Sequence, residues 1–208
     1  MSETVLTQKS SKKEAPQKAE AAGTFGRYNE IPYDQMTPQQ QEGYRALTLV
    51  EGDGSPILPG PLKIWMNNPA LSLAIAPLAA HFRPPHHALT QREREIAVCV
   101  IAGKWHAPYS INAHAEIIEG LGLAAETAEA LICDRPTSFP DQNEQMIYEI
   151  AITVASARWV PRTLYDRAVQ TLGHNKITDV LVLMGFYTAI SLTLKFYDVP
   201  AGEPGMQR

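Results

Sequence analysis

LTQREREIAVCVIAGKWHAPYSINAHAEIIEGL, residues 89–121, is the stretch whose reading decides the fold. It reads as two helices joined by a tight connection. Thr90 is a good N-cap, and Glu93 three residues later completes a capping box, hydroxyl and carboxylate satisfying amides that the first turn leaves without partners. Gln91, Arg92, Glu93, Arg94 and Glu95 make a charged first turn. Seven apolar residues then follow without a break, Ile96 to Ala102. A helix that is apolar all round is buried all round. Gly103 is expected to end it. The second helix opens at Ala107–Pro108, because proline is tolerated in a first turn. It ends at Gly120 or Gly122, the residue type that commonly follows a helix.

Two ionisable groups sit on the wrong faces of these helices. Glu95 shares its face with Val98, Cys99 and Ala102, three, four and seven residues on. His114 lies on a stripe with Ala107, Ser110, Ile117, Ile118 and Leu121, while Asn112, Glu116 and Glu119 occupy the polar face. Packed as an antiparallel pair, the two helices bring Glu95 and His114 together. Two readings stay open. A carboxylate meeting an imidazole in an apolar cleft is how a general acid/base is tuned. The same pair is also an ordinary structural hydrogen bond, since buried polar groups are usually partnered.

The spacing also resembles a family. Glu95 is followed by a small residue twelve positions later (Ala107), another three later (Ser110), and His114 four later. This resembles the carboxymuconolactone decarboxylase and alkylhydroperoxidase D-like superfamily. GPLKIWMNNPAL (residues 60–71) is similar to the segment upstream of its core, and VLVLMGFYTAISLTLKFYDVP (residues 180–200) to its final helix. The peroxidase branch carries cysteines at the two intermediate positions. Here they are Ala107 and Ser110, with Tyr109 keeping the aromatic position between them.

The resemblance implies an all-α, alkylhydroperoxidase D-like helical bundle that assembles as trimers or multiples of trimers. It implies a cofactor-independent lyase in which a small carboxylated lactone loses carbon dioxide and a carbon is reprotonated. His114 would shuttle the proton and Glu95 would orient it and set its tautomer. Tyr109 and Ser110 are candidate hydrogen-bond donors to the substrate; Trp105, His106 and Tyr187 complete the candidate substrate-binding set. Neither cofactor nor metal is expected. The competing readings are a non-catalytic small-molecule binder or scaffold, and a thiol peroxidase. The last needs a low-pKa thiolate and a resolving partner at positions where this sequence has none.

Composition bounds the rest. A chain of 208 residues, 45% apolar and 19% charged, suffices for one domain with a sizeable core. The formal net charge of −4, with no basic stripe, argues against nucleic acid as partner. No apolar run approaches the roughly 20 residues that span a bilayer, so no membrane partner is expected. Two cysteines, Cys99 and Cys133, and no apolar leader fit a cytoplasmic protein.

Along the chain, residues 1–27 read as a disordered tail, 28–200 as the domain and 201–208 as a second tail. Thr37–Pro38 starts a helix to about Leu49, and residues 51–61 form a Gly/Pro-rich loop. A helical turn over Leu62–Asn67 carries Trp65, read as core rather than pocket wall. Pro69 starts a helix to about Phe82. His81, His86 and His87 crowd one loop, but without further ligands they read as ordinary histidines. Helices follow over about Ala124–Cys133, Asp141–Arg158, Pro161–Leu172 and Lys176–Phe196. Arg158, Arg162 and Arg167 are candidate carboxylate anchors, with surface arginine the default.

Overall fold

The computed structural model of the chain describes residues 24–50, 56–58, 60–83, 88–156 and 159–202. Among the described residues there are eight α-helices: α1 (Pro38–Leu47), α2 (Gly60–Trp65), α3 (Pro69–His81), α4 (Gln91–Lys104), α5 (Pro108–Gly120), α6 (Ala125–Ile132), α7 (Gln142–Ala155) and α8 (Arg162–Phe196). Two antiparallel strand pairs accompany them, β1 (Thr24–Phe25) with β2 (Tyr28–Asn29) and β3 (Leu49–Val50) with β4 (Pro56–Ile57). The class is all-α. Strands of two residues are too short to show an alternating pattern, which is why the sequence gives no sign of them.

α4 is the central element. Every residue from Glu95 to Gly103 is buried, and the helix packs on α5, α6, α7 and α8. Gly103 does not end it; the helix runs on to Lys104. A Cβ at Gly103 would stand 2.6 Å from the carbonyl oxygen of Leu131 and 2.8 Å from that of Ile132. The glycine is there because the end of α6 crosses α4 at backbone distance.

α8 contains a break at Gly173, whose φ of 70° and ψ of 163° belong to no helix. The sequence places a boundary between Leu172 and Lys176, and the break falls inside it. Beyond it, the arm from residue 174 buries Val180, Leu183, Met184, Tyr187, Ile190, Ser191 and Leu194. That three-to-four spacing is one stripe of a helix, packed on α2, α4 and α7. Leu181, Val182, Leu192 and Phe196 stay exposed. An 18-residue stretch of α8 has mean hydropathy 1.7 and is by length and composition apolar enough to cross a membrane. This corrects the expectation that no run approaches such a length.

The N-terminal boundary also moves. Phe25 is fully buried, and the Arg27 amide donates to the Tyr197 carbonyl at 2.7 Å, so residues 24–27 belong to the fold rather than to a tail. Asp179 of α8 accepts from both ends of the connection after α3: His81 Nε2 lies 2.9 Å from one carboxylate oxygen and the Ala88 amide 3.0 Å from the other. Residues 1–23, most of the 51–61 loop, His86, His87, Arg158 and residues 203–208 lie outside the described residues.

Candidate active site

The site begins at the first turn of α4, whose charges are not a solvated cap. Successive residues on a helix point about 100° apart, and four consecutive side chains reach four different places. Arg92 makes a two-pronged pair with Glu144 of α7, at 2.6 and 2.9 Å, and donates to the Leu121 carbonyl at 3.0 Å. Glu93 closes the capping box with Thr90 and accepts from Lys176 of α8 at 2.8 and 3.0 Å. Arg94 turns toward Tyr187 of α8, and Glu95 toward His114 of α5. Glu93 and Glu95 are buried. The first two contacts lock α4 between α7 and α8; the other two build the site.

Those four residues form one line of contacts. His114 Nδ1 is 2.5 Å from Glu95 Oε2. Glu95 Oε1 pairs with the Arg94 guanidinium, which donates to the Tyr187 hydroxyl at 2.6 Å. The Arg94 guanidinium carbon lies 5.5 Å from the Tyr187 ring centre, and the His114 and Tyr187 rings meet edge to face at 5.2 Å. Burial works to raise the Glu95 pKa, but the His114 hydrogen bond, followed by the charges of His114 and Arg94, outweighs it and leaves the carboxyl below its ordinary range. Burial works to lower the Arg94 pKa, but Tyr187 and Glu95 outweigh it, so the guanidinium stays charged. Burial raises the Tyr187 pKa and keeps the phenol protonated.

These protonation states fix the hydrogens. An ionised carboxylate only accepts, so His114 Nδ1 carries a proton and donates it to Glu95. The imidazole Nε2 is then the atom left for chemistry. Tyr187 accepts from Arg94, so its own O–H remains to donate. Both groups line a cavity of about 480 Å³. That volume lies within the usual range for small-molecule sites. Leu62 of α2, Ala79 of α3, Phe82 just beyond it, and Phe186 and Ile190 of α8 form its apolar wall. Tyr109, Ser110 and Ala113 of α5 complete the floor beside His114. Ser110 is buried; Tyr109 packs edge to face on Phe25 at 5.7 Å, and burial raises its pKa.

Of the residues singled out from sequence, His114, Tyr109, Ser110 and Tyr187 line this cavity, and Glu95 stands directly behind His114. Trp105 and His106 do not line it. The Trp105 amide bonds back to the Ile101 carbonyl, and its side chain packs on the hydrophobic core. His106 is solvent-exposed, with a positive φ of 47° that turns the chain toward α5. Trp65 is core: its indole donates to Thr193 at 2.9 Å and its ring meets Phe186 edge to face. Arg162 pairs with Asp166 and Arg167 with Glu149, both on the surface. Cys99 is buried with its thiol pKa raised by burial, and Cys133 is exposed beyond α6.

The sequence reading missed two cavity arginines, Arg94 and Arg83. A signal existed for Arg94, because the residues three, four and seven positions on, Ala97, Val98 and Ile101, are all apolar. Arg83 follows the end of α3 and had no periodic neighbour to mark it.

Comparison with solved structures shows an alkylhydroperoxidase D-like fold. An uncharacterised peroxidase-related protein from Silicibacter sp. TM1040 superposes with a TM-score of 0.65 at 17% identity, over 92% of this chain and 98% of that one. The debrominase Bmp8, as a variant in complex with 2,3,4-tribromopyrrole, superposes with a TM-score of 0.62 at 13% identity, over 82% of this chain and 88% of that one. Its unliganded form gives 0.62 at 12% identity, over 83% and 90%. No family model and no curated protein matches the sequence.

Proposed function

We propose that the protein is a lyase of the carboxymuconolactone decarboxylase type, acting on a small carboxylated lactone or a related unsaturated acid by general acid/base proton transfer. The observation that carries this reading is the His114–Glu95–Arg94–Tyr187 line opening onto an apolar cavity. Loss of carbon dioxide breaks a carbon–carbon bond and pushes the electron pair into the conjugated carbonyl, giving a dienolate. The Tyr187 hydroxyl, backed by the charged Arg94, is the donor suited to the developing oxyanion. In the doubly protonated ring, with Nδ1–H kept on Glu95, His114 gives its Nε2 proton to the carbon, and the next proton from solvent restores it. Glu95 holds the ring in the tautomer that leaves Nε2 facing the substrate. Thiol peroxidase chemistry needs a thiol pair where this sequence has Ala107 and Ser110, and neither Cys99 nor Cys133 lines the cavity.

The test is a panel of unsaturated lactone carboxylates assayed by loss of ultraviolet absorbance, with His114→Gln as the key variant. Removing a general acid/base lowers kcat by about 10²–10⁴-fold. Wild-type kcat in His114→Gln on a confirmed substrate overturns the role given to His114. Binding across the whole panel without turnover favours a non-catalytic binder instead. Assembly into trimers or multiples of trimers belongs to the same proposal, supported by the exposed apolar residues of α8. A monomer mass by light scattering refutes it.

A further inference from the structure

We propose that Arg83 is the anion anchor of the cavity, and that the ligand it selects is a flat, largely apolar monocarboxylate. The inference rests on the cavity being the substrate site. Arg83 is half-buried and lines the cavity beside Phe82. Its guanidinium donates to the carbonyl of Leu47, the last residue of α1, at 3.0 Å. That bond uses one of five N–H groups. No carboxylate pairs with Arg83 among the described residues. Burial lowers its pKa.

Arg94 is the contrast. It faces the same cavity, but its charge is matched by Glu95, and Tyr187 accepts a second of its N–H groups; its buried Nε has no partner among the described residues. Of the two guanidiniums, only Arg83 has no carboxylate partner among the described residues. A partly buried cation without a counter-ion is unfavourable, and a carboxylate docking there relieves it through charge-assisted hydrogen bonds in a fork that suits two oxygens. One uncompensated cation calls for one anion. The body of the ligand meets Leu62, Phe82, Phe186 and Ile190, and the rings of Phe82 and Phe186, 6.3 Å apart and tilted by 34°, favour something flat.

The competing account is that Arg83 only caps the end of α1. Glutamine at position 83 loses the charge and, ending two bonds short of the arginine Nη, the Leu47 contact as well; the two accounts separate on anion preference, which a mere cap does not have to lose. The experiment is calorimetric titration of the full chain at neutral pH and low salt, with naphthoate as probe and naphthamide as its neutral counterpart. Wild type is expected to prefer naphthoate by about tenfold or more. Arg83→Gln abolishes that preference, and Arg83→Lys keeps part of it. Wild-type preference persisting in Arg83→Gln overturns the proposal, as does a wild type that binds neither probe or does not distinguish them. If His114→Gln is the variant that loses the preference, the anion sits at the imidazole and the assignment fails. Turnover surviving in His114→Gln would end the acid/base reading but leave the Arg83 result standing, so the two failures are separable.

Discussion

Glu95→Gln is the sharpest perturbation of this molecule. The Glu95 side chain is wholly buried, and each carboxylate oxygen has its own donor, Arg94 on one and His114 Nδ1 on the other. Glutamine has the same shape but offers one acceptor and one NH₂, so one of those donors is left facing another donor. Arg94, with only 19% of its side chain exposed, loses its counter-ion at the same time. Removing one partner of a buried ion pair costs about 3–5 kcal/mol. That is a large fraction of a total stability of about 5–15 kcal/mol. With a urea slope of about 2 kcal/mol per molar, the unfolding midpoint falls by about 2 M. The assay is urea unfolding followed by circular dichroism at one protein concentration. Because the folded Glu95 pKa is depressed, its stabilisation is fully present above the unfolded value and is lost as pH falls through the folded one. The gap between wild type and Glu95→Gln is therefore widest at neutral pH and narrows below about pH 4. A gap under about 1 kcal/mol at neutral pH, or one that does not change with pH, would refute the reasoning.

Three further outcomes are expected. Gly103→Ala drives a methyl into the carbonyls of Leu131 and Ile132, lowering stability by about 1–3 kcal/mol; an unchanged melting temperature would show that α6 does not lie so close. Gly173→Ala meets no neighbouring atom but forces an L-residue to a φ of 70°, costing about 1–3 kcal/mol in thermal unfolding while leaving naphthoate affinity intact. Ellman's reagent should find one reactive thiol per native chain, the exposed Cys133, and a second only in denaturant; rapid labelling of both in native protein contradicts the burial of Cys99.

The helices and the Glu95–His114 contact were legible in the sequence because periodicity reports burial, and both residues break an apolar face. Thr37 followed by Pro38, and the capping box at Thr90, likewise mark helix starts correctly. What escaped was set by long-range approach. Gly103 looks like a helix stop until α6 is laid across it. Arg94 looks like one charge of a polar first turn until α8 arrives with Tyr187. Arg83 follows a helix end, where no periodicity distinguishes a cavity residue from a loop residue. Trp105 and His106 adjoin the site in sequence, but the tight turn between α4 and α5 directs them elsewhere.

The two bonds to Asp179 have a bearing on the cavity. They fasten His81 at the end of α3 and the Ala88 amide just before α4 to α8, at a point eight residues before Tyr187, about 12 Å along the axis. The end of α3 and the approach to α4 are thus both moored to the helix that carries the Tyr187 phenol, so a shift of α8 along its axis is felt on two sides of the cavity.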